Sequence, residues 1–263
     1  MFQPVIPAEG LAGWRFLQRT YEAQLATYAA APRVARDSDY FLQRIGSITT
    51  AEELVADRRL LTVALGAFGL QEDINNRYFI RKVLEEGVAS ADALANRLSN
   101  KRYREMAEAF GLGAGSVPRT AQEAFAARIV ARFEARGFEV AAGEVNSAMR
   151  VALHARDALP QLAADGRSLN ARWYTILGDP PLRQLFEKAL GLPSSIGQID
   201  IDRQLTVFKD RAERVLGSDG IDRFTDPAAV ENVITRFILR DQMTGLQGNM
   251  SSGAVALALL QRA

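Results

Sequence analysis

The helical spacing of the apolar residues constrains this chain more than any other feature. Between about residue 11 and about residue 30, apolar side chains fall three or four positions apart, at Trp14, Leu17, Tyr21, Leu25 and Tyr28. Similar spacing recurs along most of the sequence. No sustained period-two alternation occurs, and no Asn-Gly or Asp-Gly turn lies between apolar runs as a β-hairpin would require. We therefore predict an all-α fold, a multihelical globular array.

Capping residues predict where several of these helices begin and end. Thr50 followed by Glu53 has the form of a capping box, in which each side chain accepts a hydrogen bond from the backbone of the other. Thr120 followed by Glu123 has the same form and predicts a second helix start. Gly137 predicts the end of that second helix, because glycine readily adopts the left-handed conformation that closes a helix.

Two segments of the chain follow one plan from an aspartate to a glycine. Residues 57–74, DRRLLTVALGAFGLQEDI, and residues 179–196, DPPLRQLFEKALGLPSSI, align without a gap. They agree at Asp57 and Asp179, Leu60 and Leu182, Gly69 and Gly191, Leu70 and Leu192, and Ile74 and Ile196. Aspartate is a preferred N-cap and glycine a preferred helix end. Each segment therefore predicts a cap, an amphipathic helix, a glycine stop and an apolar residue that folds back onto the helix.

This repetition sets the predicted organisation of the chain. We predict a single all-helical domain over residues 1–240, with two related halves as an internal pseudo-repeat at about 30–113 and 145–240. Chance similarity is the alternative, because any well-capped helix with a glycine end gives a similar string. Residues 241–263 are predicted to form a mobile C-terminal tail with an apolar end, which either docks on the protein's own core or binds a partner.

The sequence contains no motif that we assign to catalysis, a cofactor or a metal ion. His154 is the one histidine, and no neighbouring residue has the spacing of a known site, so we interpret it as an ordinary packing or surface residue. The glycine-rich stretch GLGAGS, residues 111–116, follows a helix instead of the strand that precedes a dinucleotide-binding loop. Two acidic pairs lack the ligand pattern of a calcium loop, and we interpret them as capping or solvated groups. These pairs are Asp200 with Asp202 and Asp219 with Asp222.

Charge and composition narrow the class of protein. The 32 Lys and Arg residues nearly balance the 31 Asp and Glu residues, so no overall field attracts nucleic acid or anionic lipid. The absence of cysteine excludes disulfides and cysteine-ligated metals. No apolar stretch approaches the roughly 18 residues that cross a bilayer, and no basic leader precedes an apolar run. We expect a cytoplasmic protein without membrane insertion and without a nucleic-acid partner.

Several stretches of the chain carry a family resemblance. Within residues 14–113 they are YFLQRIGSITTAEELVADRRLLTVALGAFGL, YFIRKVLEEG and ANRLSNKRYREMAEAFG. The later stretches ALGLPSSIGQIDIDRQ and AVENVITRFILRDQ extend the likeness over most of the chain. Together they resemble the bacterial family called domain of unknown function 1217. The resemblance implies an all-helical protein of a family without an established activity, whose members are often encoded near flagellar genes.

The resemblance and the missing catalytic motifs together lead to one functional hypothesis and one alternative. We expect a non-enzymatic helical interaction protein, with a flagellar component as its protein partner. It would act as an accessory, regulatory or chaperone-like factor in flagellar assembly or motility. The alternative is a small-molecule-binding protein or enzyme with a site between the two helical halves. Export by the flagellar route without a cleaved signal is the alternative to a cytoplasmic location, and the oligomeric state stays open.

Overall fold

The computed structural model describes residues 2–249 and confirms the all-α prediction. Over these residues the chain forms thirteen α-helices, four short 3-10 helices and no β-strand. The α-helices are α1 (Gly10–Ala29), α2 (Pro32–Arg44), α3 (Ala51–Ala56), α4 (Arg58–Ala67), α5 (Arg77–Glu86), α6 (Leu94–Arg97), α7 (Arg102–Phe110), α8 (Phe125–Val145), α9 (Ser147–Ala163), α10 (Leu169–Gly178), α11 (Pro180–Leu190), α12 (Ile201–Leu216) and α13 (Pro227–Asn249). The 3-10 helices are η1 (Ile45–Ser47), η2 (Gln71–Asn75), η3 (Ser194–Gln198) and η4 (Ile221–Thr225). Among all these described helices, none is both long and apolar enough to span a bilayer.

The described residues form two compact units. Residues 2–5 and 19–142 make up the first unit, and residues 6–18 and 143–249 make up the second. Each unit contains one of the two aspartate-to-glycine segments, since α4 lies in the first and α11 in the second.

The C-terminal boundary predicted at residue 240 falls inside a helix. Helix α13 begins at Pro227 and continues through Asn249, so residues 241–249 extend this helix. The rest of the predicted tail, residues 250–263 with its apolar end, lies outside the described residues.

The two aspartates begin their helices in the same way. The Asp57 side chain accepts hydrogen bonds from the backbone N–H groups of Arg59 and Leu60 at the start of α4. The Asp179 side chain accepts a hydrogen bond from the N–H group of Leu182 at the start of α11. Both predicted N-caps are confirmed, and each satisfies helix N–H groups that would otherwise lack a partner.

The two glycines also end their helices in the same way. Gly69 has a φ of 68° and Gly191 a φ of 69°, both in the left-handed region. The N–H groups of Leu70 and Leu192 each donate a 2.8 Å hydrogen bond to the carbonyl five positions earlier, the bond that defines a Schellman motif. A 3-10 helix follows each glycine, η2 in the first unit and η3 in the second. The segments therefore share local structure from cap to stop, while their origin by duplication stays a prediction.

One predicted capping box is confirmed and the other is wrong. Thr50 caps α3 and exchanges hydrogen bonds with Glu53 as predicted. Thr120 does not cap a helix, because its buried hydroxyl donates a 2.6 Å hydrogen bond to the carbonyl of Ile48. The helix that was expected to follow it begins only at Phe125. The Thr120 side chain therefore bonds to a residue that is distant in sequence instead of capping the helix that the local pattern predicts.

Gly137 was predicted to end a helix, and this prediction is wrong. It lies inside α8, which runs from Phe125 to Val145. A Cβ atom built on Gly137 would lie 2.0 Å from the Tyr28 hydroxyl oxygen and 2.8 Å from the ring carbon that bears it. Glycine is needed at this position so that the Tyr28 side chain can lie against the backbone of α8.

Aromatic packing joins α10, α11 and η4 in the second unit. The Trp173 ring packs edge-on against Phe186, with ring centroids 5.2 Å apart, and Phe186 packs against Phe224 at 5.8 Å. Trp173 is buried whereas Tyr174, the next residue of α10, is exposed, because successive helical residues point in different directions. This packing therefore sets which side of α10 faces solvent.

Candidate functional site

The structure pairs His154 with a carboxylate that the sequence did not connect to it. His154 lies on α9 with 3% of its surface exposed. Its Nε2 atom lies 3.1 Å from Oδ1 and 3.0 Å from Oδ2 of Asp179. A carboxylate only accepts hydrogen bonds, so Nε2 carries the proton in this pair. Asp179 therefore joins α9 to the first turn of α11, besides capping α11.

The first unit has a corresponding contact made by a tyrosine. The Tyr40 hydroxyl on α2 donates a 2.6 Å hydrogen bond to Oδ2 of Asp57, while Oδ1 caps α4. The Arg59 guanidinium carbon lies 4.1 Å from the centre of the Tyr40 ring. Burial acts to raise the pKa of Asp57. Hydrogen bonds from the Tyr40 hydroxyl and from the N–H groups of Leu60 and Arg59 act to lower it, as does the positive charge of Arg44. The lowering effects are larger, so the pKa of Asp57 lies below its usual value. Asp57 is therefore ionised in the folded protein.

The lowered pKa of Asp57 predicts a specific loss of stability in acid. A carboxyl group whose pKa is lower in the folded state stabilises the fold above its unfolded-state pKa, and this contribution disappears as the pH falls through the folded-state pKa. Asp57→Asn keeps an N-cap acceptor but removes the charge. We expect the difference in free energy of unfolding between wild type and Asp57→Asn to be present near neutral pH and to shrink below about pH 4.

Urea unfolding at a series of pH values measures this difference. Asp92→Asn serves as the control, because Asp92 is exposed in the same unit and does not cap α4. A difference for Asp57→Asn that stays constant from neutral to acid pH would contradict the prediction.

Other charged side chains of the second unit bind helix ends. Arg172, Arg211 and Arg223 donate hydrogen bonds to the last backbone carbonyl of α9, α11 and α12, respectively. Cations stabilise the carboxyl ends of helices because unpaired carbonyls give that end a partial negative charge. These arginines therefore stabilise the carboxyl ends of the three helices.

The remaining candidate motifs also have structural roles. Gly111 ends α7 with a φ of 64°, so GLGAGS begins as a helix terminus, as interpreted from the sequence. Asp222 binds the buried Arg172, and Asp219 lies 3.5 Å from the Lys209 ammonium. Within residues 2–249, no group of three or more histidine or acidic side chains is arranged to hold a metal ion.

The other acidic pair lies among exposed apolar side chains. Asp200 caps α12 by accepting hydrogen bonds from the N–H groups of Asp202 and Arg203. The isoleucines beside it are exposed, Ile199 by 38% and Ile201 by 44%. Tyr174 reaches this point from α10 and donates a hydrogen bond to Oδ1 of Asp202. We call Tyr174, Ile199, Asp200, Ile201 and Asp202 the IDID surface.

Electrostatics link the members of the IDID surface. The hydrogen bond to Asp202 raises the pKa of Tyr174 above its ordinary value, and burial and the negative charges of Asp202 and Asp200 act in the same direction. The hydroxyl therefore stays protonated and keeps donating to Asp202. The repeated Ile-Asp string is the sequence signal for this surface, with Asp200 as the N-cap of α12 and Ile201 as its first residue. Spacing alone does not show that Tyr174 joins it.

Comparisons with known proteins bear on the family and the fold. The family model described as protein of unknown function (DUF1217) matches residues 67–230, more than half of the chain. The crystal structure of protein AGR_C_984 from Agrobacterium tumefaciens, a structural genomics target, is similar with 27% sequence identity and a TM-score of 0.75. That similarity covers 92% of this chain and 97% of the other. No curated protein matches the sequence. The chain belongs to the DUF1217 family of proteins of unknown function.

Proposed function

We propose that this chain is a non-enzymatic helical protein that binds another protein and acts as an accessory, regulatory or chaperone-like factor in flagellar assembly or motility. The observation that carries the binding role is the IDID surface, where Tyr174, Ile199 and Ile201 are each exposed by 38% or more and the Tyr174 hydroxyl is bound to Asp202 beside Ile201. Grouped apolar side chains on a protein surface are typical of interaction sites. The flagellar part of the proposal rests on the family, whose resemblance implies an association with flagellar genes.

The contacts of the ionisable side chains that lie between helices support a binding role over a catalytic one. His154 and Asp179 tie α9 to α11, and Arg172 is engaged with both a helix end and Asp222. A catalytic acid or base needs a proton that it can exchange with a substrate. These groups are instead held between helices, where their bonds stabilise the fold.

Deletion of the gene in the bacterium that encodes it tests this function. We expect reduced swimming, restored by the wild-type gene, and recovery of a flagellar protein with a tagged copy of the chain. The matched strain carries Ile201→Ser, which removes apolar area from a side chain that is 44% exposed. Normal swimming in the deletion strain, together with capture of no flagellar protein, would refute the flagellar role.

A further inference from the structure

We infer that the IDID surface binds a segment of the partner protein that carries large apolar side chains flanked by lysine or arginine. This inference rests on the proposed function, because it names the chemistry of the partner at the surface that carries it. The three apolar members supply contact area, and the two carboxylates supply the charge that selects a basic partner.

The apolar members are held in place before any partner binds. The backbone carbonyl of Ile199 accepts a 2.6 Å hydrogen bond from the side chain of Gln204, which is itself buried. Gln204 in turn accepts a 2.7 Å hydrogen bond from Arg183 on α11. Ile201 is the first residue of α12, and the Tyr174 ring is fixed by its hydroxyl. A surface ordered in advance loses little conformational freedom on binding, so more of the contact energy becomes affinity.

The two carboxylates each keep an oxygen for a partner. The hydrogen bonds that Asp200 and Asp202 accept within residues 2–249 all go to Oδ1, from Asp202 and Arg203 in the first case and from Tyr174 in the second. Neither carboxylate forms an ion pair in that part of the chain. Both residues are exposed, so their Oδ2 atoms can act as charged acceptors for ammonium or guanidinium groups.

The sign of the surface favours a basic partner over an acidic one. Arg203 lies on the same turn of α12 and offsets one of the two negative charges, but the carboxylates flank the exposed isoleucines directly. A partner with acidic residues around its apolar side chains would meet like charges at close range, which costs affinity. A basic segment can form apolar contacts with the exposed side chains and ion pairs with the two carboxylates at the same time.

Binding of two synthetic peptides to the full chain tests this inference. Both peptides share one helix-forming apolar stripe of about four turns, and they differ only in having lysine or glutamate beside the stripe. Fluorescence anisotropy is measured with wild type at low ionic strength. We expect saturable binding of the lysine peptide that weakens as salt is added, and binding of the glutamate peptide at least roughly tenfold weaker.

Charge-neutral variants locate the binding site. The double variant Asp200→Asn, Asp202→Asn keeps the N-cap acceptor of α12, because asparagine caps as well as aspartate. It should weaken the lysine peptide roughly three- to tenfold. Ile201→Ser should weaken it about tenfold through lost apolar contact. Asp226→Asn is the matched control, since Asp226 is exposed at the start of α13 in the same unit and should leave binding unchanged.

Equal binding of the two peptides, no binding of the lysine peptide, or unchanged binding by the double variant would overturn the inference. Its failure is distinguishable from failure of the proposed function. Impaired motility in the deletion strain, together with capture of a flagellar protein by the double variant, would support the proposed function. It would also exclude the IDID surface as the binding site. Charge-selective peptide binding alongside normal motility in the deletion strain would support the IDID surface as a binding site and refute the flagellar role.

Discussion

Asp179→Ala is expected to lower the free energy of unfolding by about 3 kcal/mol. The substitution removes the N-cap of α11 and leaves the buried His154 without its carboxylate. A lost cap costs about 1 kcal/mol, and loss of the acceptor from a buried hydrogen bond costs about 1–3 kcal/mol. The Asp179 side chain is 20% exposed, so water reduces the second cost. Urea or thermal unfolding followed by circular dichroism measures the change.

Two further variants separate the cap from the pair. Asp179→Asn retains a capping oxygen and a neutral acceptor for His154, so it should cost about 1 kcal/mol. Asp226→Ala removes a cap from α13 at an exposed position, and about 1 kcal/mol is expected there as well. If Asp179→Ala destabilises the protein no more than Asp226→Ala, the contact with His154 contributes nothing measurable.

Gly191→Val is expected to cost about 3 kcal/mol, the second large effect. The residue has a φ of 69°, where a Cβ atom clashes with its own backbone and a β-branched side chain is strained further. A Cβ atom at this position would also lie 1.8 Å from Nη1 of Arg240 on α13, so the arginine must move. The measurement is the free energy of unfolding in urea.

Gly217 provides the control for this prediction. It ends α12 with a φ of 83°, and a Cβ atom built there meets nothing within 4 Å. Gly217→Val should therefore show backbone strain alone, about 2 kcal/mol. In an Arg240→Ala background, the cost of Gly191→Val should fall to that of Gly217→Val. An unchanged melting temperature for Gly191→Val would refute the strain argument altogether.

Features that depend on a few neighbouring residues could be predicted from the sequence. Asp57, Asp179 and Thr50 cap helices as predicted, because an N-cap bonds to N–H groups only two or three positions away. Gly69 and Gly191 end helices for the same reason, since the left-handed conformation is a property of the single residue. The apolar spacing likewise determined the helical class of the fold.

Features that depend on contacts between distant residues could not be predicted. Thr120 has the local pattern of a cap, yet its hydroxyl binds Ile48, which lies far away in sequence. Gly137 resembles a helix end, yet the Tyr28 side chain requires it inside α8. Spacing along one helix carries no information about such partners, so the local pattern predicts only contacts within a helix.

The candidate site divides in the same way. The sequence by itself determined that Asp200 and Asp202 alternate with isoleucines, and that Asp179 begins a helix. Only the tertiary structure brought Tyr174 to Asp202 and His154 to Asp179, because each pair joins separate helices whose packing orients the side chains. Helix ends are set by hydrogen bonds within a turn of the chain. Which side chains meet, and which stay exposed, is decided by the burial of aromatic residues such as Trp173 and Phe186 from several helices at once.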